Sequence, residues 1–359
     1  MENMPPKKTI SQVNKKERNS NIELLRIIAA MGVVALHFNE PFSFDEVGNL
    51  WSVCFVSSTF GCAVNLFILI SGYFSCYSDK RSFGKPFSLV LQLIILREIY
   101  YFIQIILGCQ AFSVQVFIGW MVPNNYFVIL FIALYFISPY INMVMKSLSN
   151  KERVTMLLLC FVLFSVWPTF SDIIGDLRGK PFLGLSSIAY QGSLSGYSIV
   201  NFVLLYIIGA YLRMNNLKFS KTLSISIYLL MIVVITILAK WNYNRANSAL
   251  DMWAWSYCNP LVIIESVSVF LLFVSFDFKS RAVNNMAKAA YTCYLLHGFI
   301  LPYLNIGSIV SKGVSYYFLY LIIVMLALYV FSYIVYLTYN YFTSRFINKL
   351  DKYQIPYKN

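Results

Sequence analysis

The sequence predicts an all-α membrane protein: a polytopic transmembrane helix bundle of about ten spans with both termini in the cytoplasm. Composition is the first reason, because 59% of the 359 residues are hydrophobic and only 12% are charged, whereas a soluble chain carries roughly 25% charged residues. The second reason is that the apolar residues form continuous runs long enough to cross a bilayer. A transmembrane β-barrel would need alternating polar and apolar residues, which these runs lack.

Ten of the apolar runs are long enough to be spans. The segment 111–120 is apolar but shorter, which favours an interfacial or re-entrant position. Residues 1–20 and 347–359 are predicted to be cytoplasmic tails, and 21–346 a single transmembrane domain. The predicted spans are 22–39, 52–75, 87–108, 124–145, 154–170, 198–213, 222–240, 259–276, 287–304 and 315–343.

The distribution of basic residues supports this number of spans and sets their orientation. Every segment predicted to lie on the same side of the membrane as the N-terminus is basic, as the positive-inside rule requires of the cytoplasmic side. The first loop on the opposite side is acidic, with Glu40, Asp45 and Glu46. Because the net charge of +13 is spread between spans, nucleic acid is not a predicted partner, whereas the lipid bilayer is. The inner basic residues are Lys7, Lys8, Lys15, Lys16, Arg18, Lys80, Arg81, Lys85, Lys146, Lys151, Arg153, Arg213, Lys218, Lys221, Lys279, Arg281, Lys288, Arg345, Lys349, Lys352 and Lys358. The outer ones are Arg178, Lys180, Lys240, Arg245 and Lys312.

Cysteine spacing does not indicate a metal site. The seven cysteines stand singly, without a CxxC motif or a cluster with histidine. We therefore expect free, buried thiols and no bound metal. The longest outer loop, 171–197, is rich in glycine and serine, and it is either an ordinary flexible loop or part of an external substrate entrance.

The chain has only two histidines, His37 and His297, and both lie inside apolar runs. Ionisable groups are costly in a bilayer, so they are functional candidates by default. In the first span, Arg26 precedes His37 by eleven residues, about three helical turns, so the two side chains share a helix face at depths about 16 Å apart. Glu23 is placed to pair with Arg26. The alternatives are a snorkelling arginine and an interfacial histidine.

Four further segments accompany this Arg–His spacing. The segments are NLFILISGY at 65–73, YFVILFIALYFISPY at 126–140, FVLLYIIGAY at 202–211 and YTCYLLH at 291–297. Together with the Arg–His spacing, they resemble the motifs of the acyltransferase family 3 membrane proteins, in that family's order and over nearly the whole chain.

The resemblance implies transfer of an acyl group, usually acetyl, from cytoplasmic acetyl-CoA to a hydroxyl of a surface glycan, such as a bacterial capsule. It implies that His37 is the catalytic residue in the plasma membrane enzyme. A neutral imidazole suits removal of the hydroxyl proton, although an acyl-histidine relay is equally open. Arg26, Glu23 and His297 are included with it in the catalytic set, and the alternative for His297 is a structural position in the core. The candidates to stabilise the oxyanion are His297, Ser71, Tyr73 and Tyr294.

The acyl-CoA phosphates need cationic partners, and five residues are candidates. These are Arg26, Lys80, Arg81, Lys85 and Arg97. Many relatives carry paired arginines entering the third span, where this chain has Lys85 and later Arg97. The alternative for the loop cations is ordinary positive-inside charge. The alternative function is a multi-span transporter or glycan-lipid flippase. Such a protein is expected to carry more carboxylates along an ion pathway than the two in these spans, Glu98 and Glu265.

Overall fold

A computed structural model describes residues 18–39, 50–246 and 253–355. The protein is 78% helical with almost no sheet, which confirms the predicted all-α class. Large apolar side chains are exposed along several long helices, as expected for surfaces that face lipid. The predicted tail residues 1–17 and 356–359, and the acidic loop 40–49, lie outside the described residues.

Fifteen α-helices form the described chain. They are α1 (Ser20–Phe38), α2 (Leu50–Phe60), α3 (Ala63–Ser75), α4 (Gly84–Ile106), α5 (Val114–Met121), α6 (Tyr126–Ser147), α7 (Asn150–Phe161), α8 (Trp167–Leu177), α9 (Ile199–Met214), α10 (Lys221–Ala246), α11 (Pro260–Val274), α12 (Arg281–Met286), α13 (Ala290–Ile300), α14 (Ile306–Val310) and α15 (Val314–Leu350).

Eight helical segments of the described chain are long and apolar enough to cross a membrane, so the prediction of ten spans is not confirmed as a number. The other two predicted spans are shorter helices. The span 198–213 is α9, with 16 residues. The span 287–304 contains α13, with 11 residues, between two short 3₁₀ turns. The short apolar segment 111–120 largely coincides with α5.

Several spans are interrupted helices rather than single rods. The predicted span 52–75 consists of α2 and α3 with a turn at Gly61 and Cys62 between them. α7 continues into α8 through a five-residue π-helical stretch that ends two residues before Pro168, near the start of α8. Proline lacks an N–H and disturbs the hydrogen-bond ladder of the preceding turn, which accounts for the local widening.

One small two-stranded sheet joins two segments that are far apart in the sequence. Strand β1 (Arg81–Ser82) pairs antiparallel with strand β2 (Gln354–Ile355). The Ser82 hydroxyl also donates a 2.7 Å hydrogen bond to the carboxylate of Asp351. The loop between α3 and α4 is thereby fixed to the segment after α15.

The first helix lies at the centre of the bundle. α1 packs against α2, α3, α11, α12, α13 and α15. Two of its faces enter separate hydrophobic clusters: Leu25 and Val33 belong to the cluster with α3 and α9, and Val34 and Phe38 to the cluster with α15. This burial on both sides fixes the rotation of α1, and therefore the directions in which its polar residues point.

The crossing of α3 and α9 depends on a glycine in each helix. A Cβ atom added to Gly72 would collide with the backbone carbonyl of Tyr206, and one added to Gly209 would collide with that of Leu69. Small residues permit this close approach of helix backbones in membranes, where dispersion contacts drive association. The glycines in 65–73 and 202–211 thus face each other across one interface.

We expect Gly72→Ala to lower the stability of the bundle by about 1 to 3 kcal/mol, because the added methyl must separate the two backbones. The thermal unfolding midpoint of the protein in lipid nanodiscs measures this. Gly119→Ala is the matched control, since a Cβ there has no neighbour within 4 Å. Equal midpoints for the two variants would contradict the proposed role of Gly72.

Candidate functional site

The C-terminal end of α1, which carries His37, is held by a buried hydrogen-bond network. Asn39 follows the helix, and its Oδ1 accepts a 2.8 Å hydrogen bond from the Tyr317 hydroxyl. Its Nδ2 donates a 3.0 Å hydrogen bond to Oγ of Ser57. The end of α1 is thereby tied to both α2 and α15. This attachment restricts where the His37 imidazole can lie.

The two histidines of the chain lie against each other, although 260 positions separate them. The ring centroids of His37 and His297 are 4.5 Å apart, with an angle of 33° between the planes. Tyr294, one turn earlier on α13, has its ring centroid 5.7 Å from that of His297. Its hydroxyl donates a 3.0 Å hydrogen bond to Oδ1 of Asn125, the residue that caps α6.

Both imidazoles line a cavity of about 420 Å³ in the half of the bundle that the charge distribution assigns to the outer side. The lining combines tyrosine, asparagine and arginine side chains with a few apolar ones. The lining residues are Val33, His37, Val64, Leu93, Arg97, Trp120, Asn124, Asn125, Tyr126, Tyr197, Tyr257, Tyr294, Leu295, His297, Gly298 and Phe299. The site is therefore polar, aromatic and large enough for part of a sugar.

Arg97 is the cation of this cavity. Its guanidinium carbon lies 5.0 Å from the ring centroid of Trp120, and its NH1 donates a 3.1 Å hydrogen bond to the carbonyl of Asn124. Arg97 was expected among the residues that hold CoA phosphates. The structure places Arg97 in the same cavity as the two histidines, and its role toward CoA stays a prediction.

The opposite end of α1 carries Arg26. Its guanidinium is paired with Glu23, whose two carboxylate oxygens lie 2.9 and 3.1 Å from NH1. Arg18 lies 3.6 Å from the same carboxylate. About a third of the Arg26 side chain remains exposed. Arg26 and His37 therefore stand at the two ends of one helix, as the sequence predicts, with only one of them in the cavity.

The other cations of the predicted cytoplasmic side differ in their surroundings. The ammonium of Lys85 lies 4.9 Å from the ring centroid of Phe131 and 5.5 Å from that of Tyr135, whereas Lys80 is exposed. Arg81 is buried, and it donates hydrogen bonds to the Tyr135 carbonyl, the Ser138 hydroxyl and backbone carbonyls of its own loop. These bonds engage Nε and both terminal nitrogens, which favours a structural role for Arg81.

Two sequence candidates lie apart from the histidines. The Ser71 hydroxyl donates a 2.9 Å hydrogen bond to the Phe67 carbonyl of its own helix. The Tyr73 hydroxyl accepts a 3.3 Å hydrogen bond from Arg213. Neither Ser71 nor Tyr73 lines the histidine cavity. Of the predicted site residues, the structure brings together His37, His297, Tyr294 and Arg97.

Sequence analysis missed several residues of this cavity. Asn125 and Trp120 come from the segment between α4 and α6, where the short helix α5 approaches the bundle. Tyr197 and Tyr257 precede α9 and α11. The adjacent asparagines at 124 and 125, a helix-capping signal, were the available clue to this position. Within the described residues, no group of three or more His, Cys, Asp or Glu side chains could hold a metal ion.

Comparison with known families identifies the class of protein. The acyltransferase domain of acyltransferase family 3 matches residues 19–345 of this chain. The chain therefore belongs to that family, and it is a multi-pass membrane acyltransferase. The family match does not favour the transporter or flippase alternative. No curated protein and no solved structure matches the chain significantly.

We expect Tyr317→Phe to cost about 1 to 3 kcal/mol, because it leaves the buried Oδ1 of Asn39 without its donor. Tyr320→Phe is the matched control: both rings pack against Phe38, and the Tyr320 hydroxyl forms no hydrogen bond within the described residues. Thermal unfolding in nanodiscs compares the two variants. A larger loss for Tyr320→Phe would show that the network does not anchor α1.

Proposed function

We propose that this protein is a plasma membrane O-acetyltransferase that moves acetyl from cytoplasmic acetyl-CoA to a hydroxyl of a cell-surface glycan. The observation that supports it most is the contact of His37 with His297 in a polar cavity on the outer side. The same helix carries Arg26 at its cytoplasmic end. A donor from one side and an acceptor from the other can thus meet along α1.

The chemistry requires a base, because a sugar hydroxyl is a poor nucleophile while it keeps its proton. In the direct route, the His37 imidazole takes that proton as the hydroxyl oxygen attacks the thioester carbonyl. The carbon–sulfur bond then breaks, and the imidazolium returns the proton to the CoA thiolate. His297, in ring contact with His37, would orient the base.

A relay through His37 uses the same residues. There the imidazole itself attacks the thioester, CoA leaves as the thiol, and the acetyl-imidazole passes its acetyl to the glycan hydroxyl. Radiolabelled acetyl-CoA separates the two routes: without acceptor, only the relay transfers label to the protein.

The oxyanion formed on the carbonyl needs donors within the cavity. Arg97 is the first candidate, because its guanidinium is the cation beside the two histidines. Tyr294 is the second, although its hydroxyl donates to Asn125 before substrate binds. Ser71 and Tyr73, on the cytoplasmic half of α3, are better placed to contact the donor than the reacting carbonyl.

Acetyl-CoA would bind at the cytoplasmic end through its phosphates. Arg26, oriented by its ion pair with Glu23, and the ammonium groups of Lys85 and Lys80 would supply cations there. Arg81 would support this loop by its internal hydrogen bonds. The pantetheine arm would extend along α1 and bring the thioester to the histidines.

We expect His37→Ala to reduce glycan O-acetylation by about a hundredfold or more, because the base is lost. Acetyl transferred from radiolabelled acetyl-CoA to the glycan, with the protein's insertion and unfolding midpoint checked in parallel, measures this. His37→Gln should behave in the same way, since glutamine preserves polarity but not basicity. Normal acetylation in both variants would refute the proposed mechanism. Retained acetylation with lost glycan export would favour a flippase.

We expect Arg26→Gln to raise the KM for acetyl-CoA about tenfold through loss of a charge-assisted phosphate contact. Initial rates at varied acetyl-CoA and saturating acceptor provide the value. Lys151→Gln removes a cation from the same side of the membrane and should leave that KM unchanged. If both variants shift it equally, Arg26 contributes only general surface charge.

A further inference from the structure

A second, larger cavity of about 860 Å³ lies at the same outer end of the bundle. It is formed by the end of α8, the following loop, the end of α10 and the turn before α11. Its lining residues are Ser171, Asp172, Gly175, Asp176, Leu177, Arg178, Gly179, Lys180, Pro181, Phe182, Gln191, Gly192, Ser193, Leu194, Ser195, Arg245, Trp253 and Ser256. The proposed acyl transfer does not itself require this space.

Basic residues are concentrated in this outer cavity. The positive-inside rule depletes the outer side of lysine and arginine, and the predicted topology leaves five such residues there. Three of the five, Arg178, Lys180 and Arg245, line this one cavity. If the five outer basic residues were placed at random, three of them would not be expected to line one cavity.

The charges of the cavity are not mutually cancelled. Asp176 pairs with Arg245 and also accepts a hydrogen bond from the indole of Trp253. Asp172 accepts the backbone N–H of Ser193 at 2.9 Å. Arg178 stacks on the ring of Phe182 at 5.0 Å, and within the described residues neither Arg178 nor Lys180 forms an ion pair. Both side chains are exposed and available to an anion.

One short segment separates the outer cavity from the histidine cavity. We call residues 193–197 the strap. Its Ser195 lines the outer cavity, and its Tyr197 lines the histidine cavity. Leu194, Ser195 and Gly196 all have positive φ, at 54°, 51° and 82°. Two consecutive residues with side chains in this region are strained, and such strain concentrates at ligand sites.

The strap is held firmly enough to keep this conformation. The Tyr257 backbone N–H donates a 3.0 Å hydrogen bond to the Ser195 carbonyl, and the buried Asn201 amide donates to the Gly196 carbonyl. A Cβ at Gly196 would press on Tyr257 and Cys258. The strap is therefore fixed to α9 and to the turn before α11.

We infer that the outer cavity is a subsite for an anionic group of the acceptor glycan, a carboxylate or a phosphate, held by Arg178 and Lys180. This inference rests on the proposed function and narrows its acceptor to an acidic sugar chain. The chain would cross the strap, with the anionic group in the outer cavity and the reacting hydroxyl beside His37. A neutral monosaccharide would leave the outer cavity unused.

The test compares the unmodified protein with the double variant Arg178→Gln/Lys180→Gln, full length and in nanodiscs of neutral lipid. The acceptor is the surface glycan isolated from the producing cells. We expect the acceptor KM to rise about tenfold, with the KM for acetyl-CoA unchanged and kcat altered less than about twofold. Lys312→Gln, which removes an outer cation away from the cavity, should change none of these values.

Two treated acceptors identify the anion. Reduction of glycan carboxyl groups to alcohols removes uronate charge, and dephosphorylation removes phosphate. If one treatment raises the acceptor KM of the unmodified protein to that of the double variant, the charge removed by that treatment is the group that binds in the outer cavity. Equal KM values for the native glycan with both proteins would overturn the inference, as would a KM of the unmodified protein that neither treatment alters. A difference found only when anionic lipid is added would assign the cavity to lipid headgroups and overturn it too.

Failure of the proposed function gives a different result. If the unmodified protein transfers no acetyl to any of the three glycans, the acetyltransferase assignment is wrong. If it transfers acetyl in a His37-dependent way but the double variant is unchanged, only the subsite is wrong.

Discussion

The central position of α1 is the constraint on which the rest of this structure depends. A helix that packs against six others can be neither rotated nor shifted without disturbing both hydrophobic clusters that it joins. Its outer end is further tied by Asn39 to α2 and α15. The direction of the His37 imidazole is therefore set by packing throughout the bundle, and the same packing brings α13 alongside and His297 into contact.

In the proposed function, the two ends of α1 have different roles: one end binds the donor, and the other carries the reacting imidazole. Arg26 and Glu23 lie where a soluble, polyanionic donor would arrive, and His37 lies in a cavity suited to a polar acceptor. The cavity is built largely from chain segments that lie near helix ends, including the Asn124–Asn125 pair and α5. Arg97, stacked on Trp120, is the cation that we propose to stabilise the anionic transition state.

The sequence predicted those features that depend on local pattern. Continuous apolar runs located the spans, and the spacing of Arg26 and His37 along one helix followed from helical geometry. The pairing of His37 with His297 did not follow, because only tertiary packing decides which helices are neighbours. Similarly, the continuous apolar run 287–304 gives no sign of the short turns at both ends of α13. The sequence around a loop cation such as Arg81 also does not show whether its side chain faces solvent or, as here, donates hydrogen bonds to buried groups. The opposing glycines at 72 and 209 lay in recognised motifs, yet their contact became evident only from the crossing of α3 and α9.

The central claim is that His37 and His297 act as one unit in acetyl transfer. A double-mutant cycle on the rate of transfer from acetyl-CoA to the glycan, with His37→Ala, His297→Ala and the double variant, tests it most directly. If the imidazoles act together, each single variant should lose activity, and the double variant should fall little further than His37→Ala alone. Losses that multiply in the double variant, or a His297→Ala variant with full activity, would contradict the account.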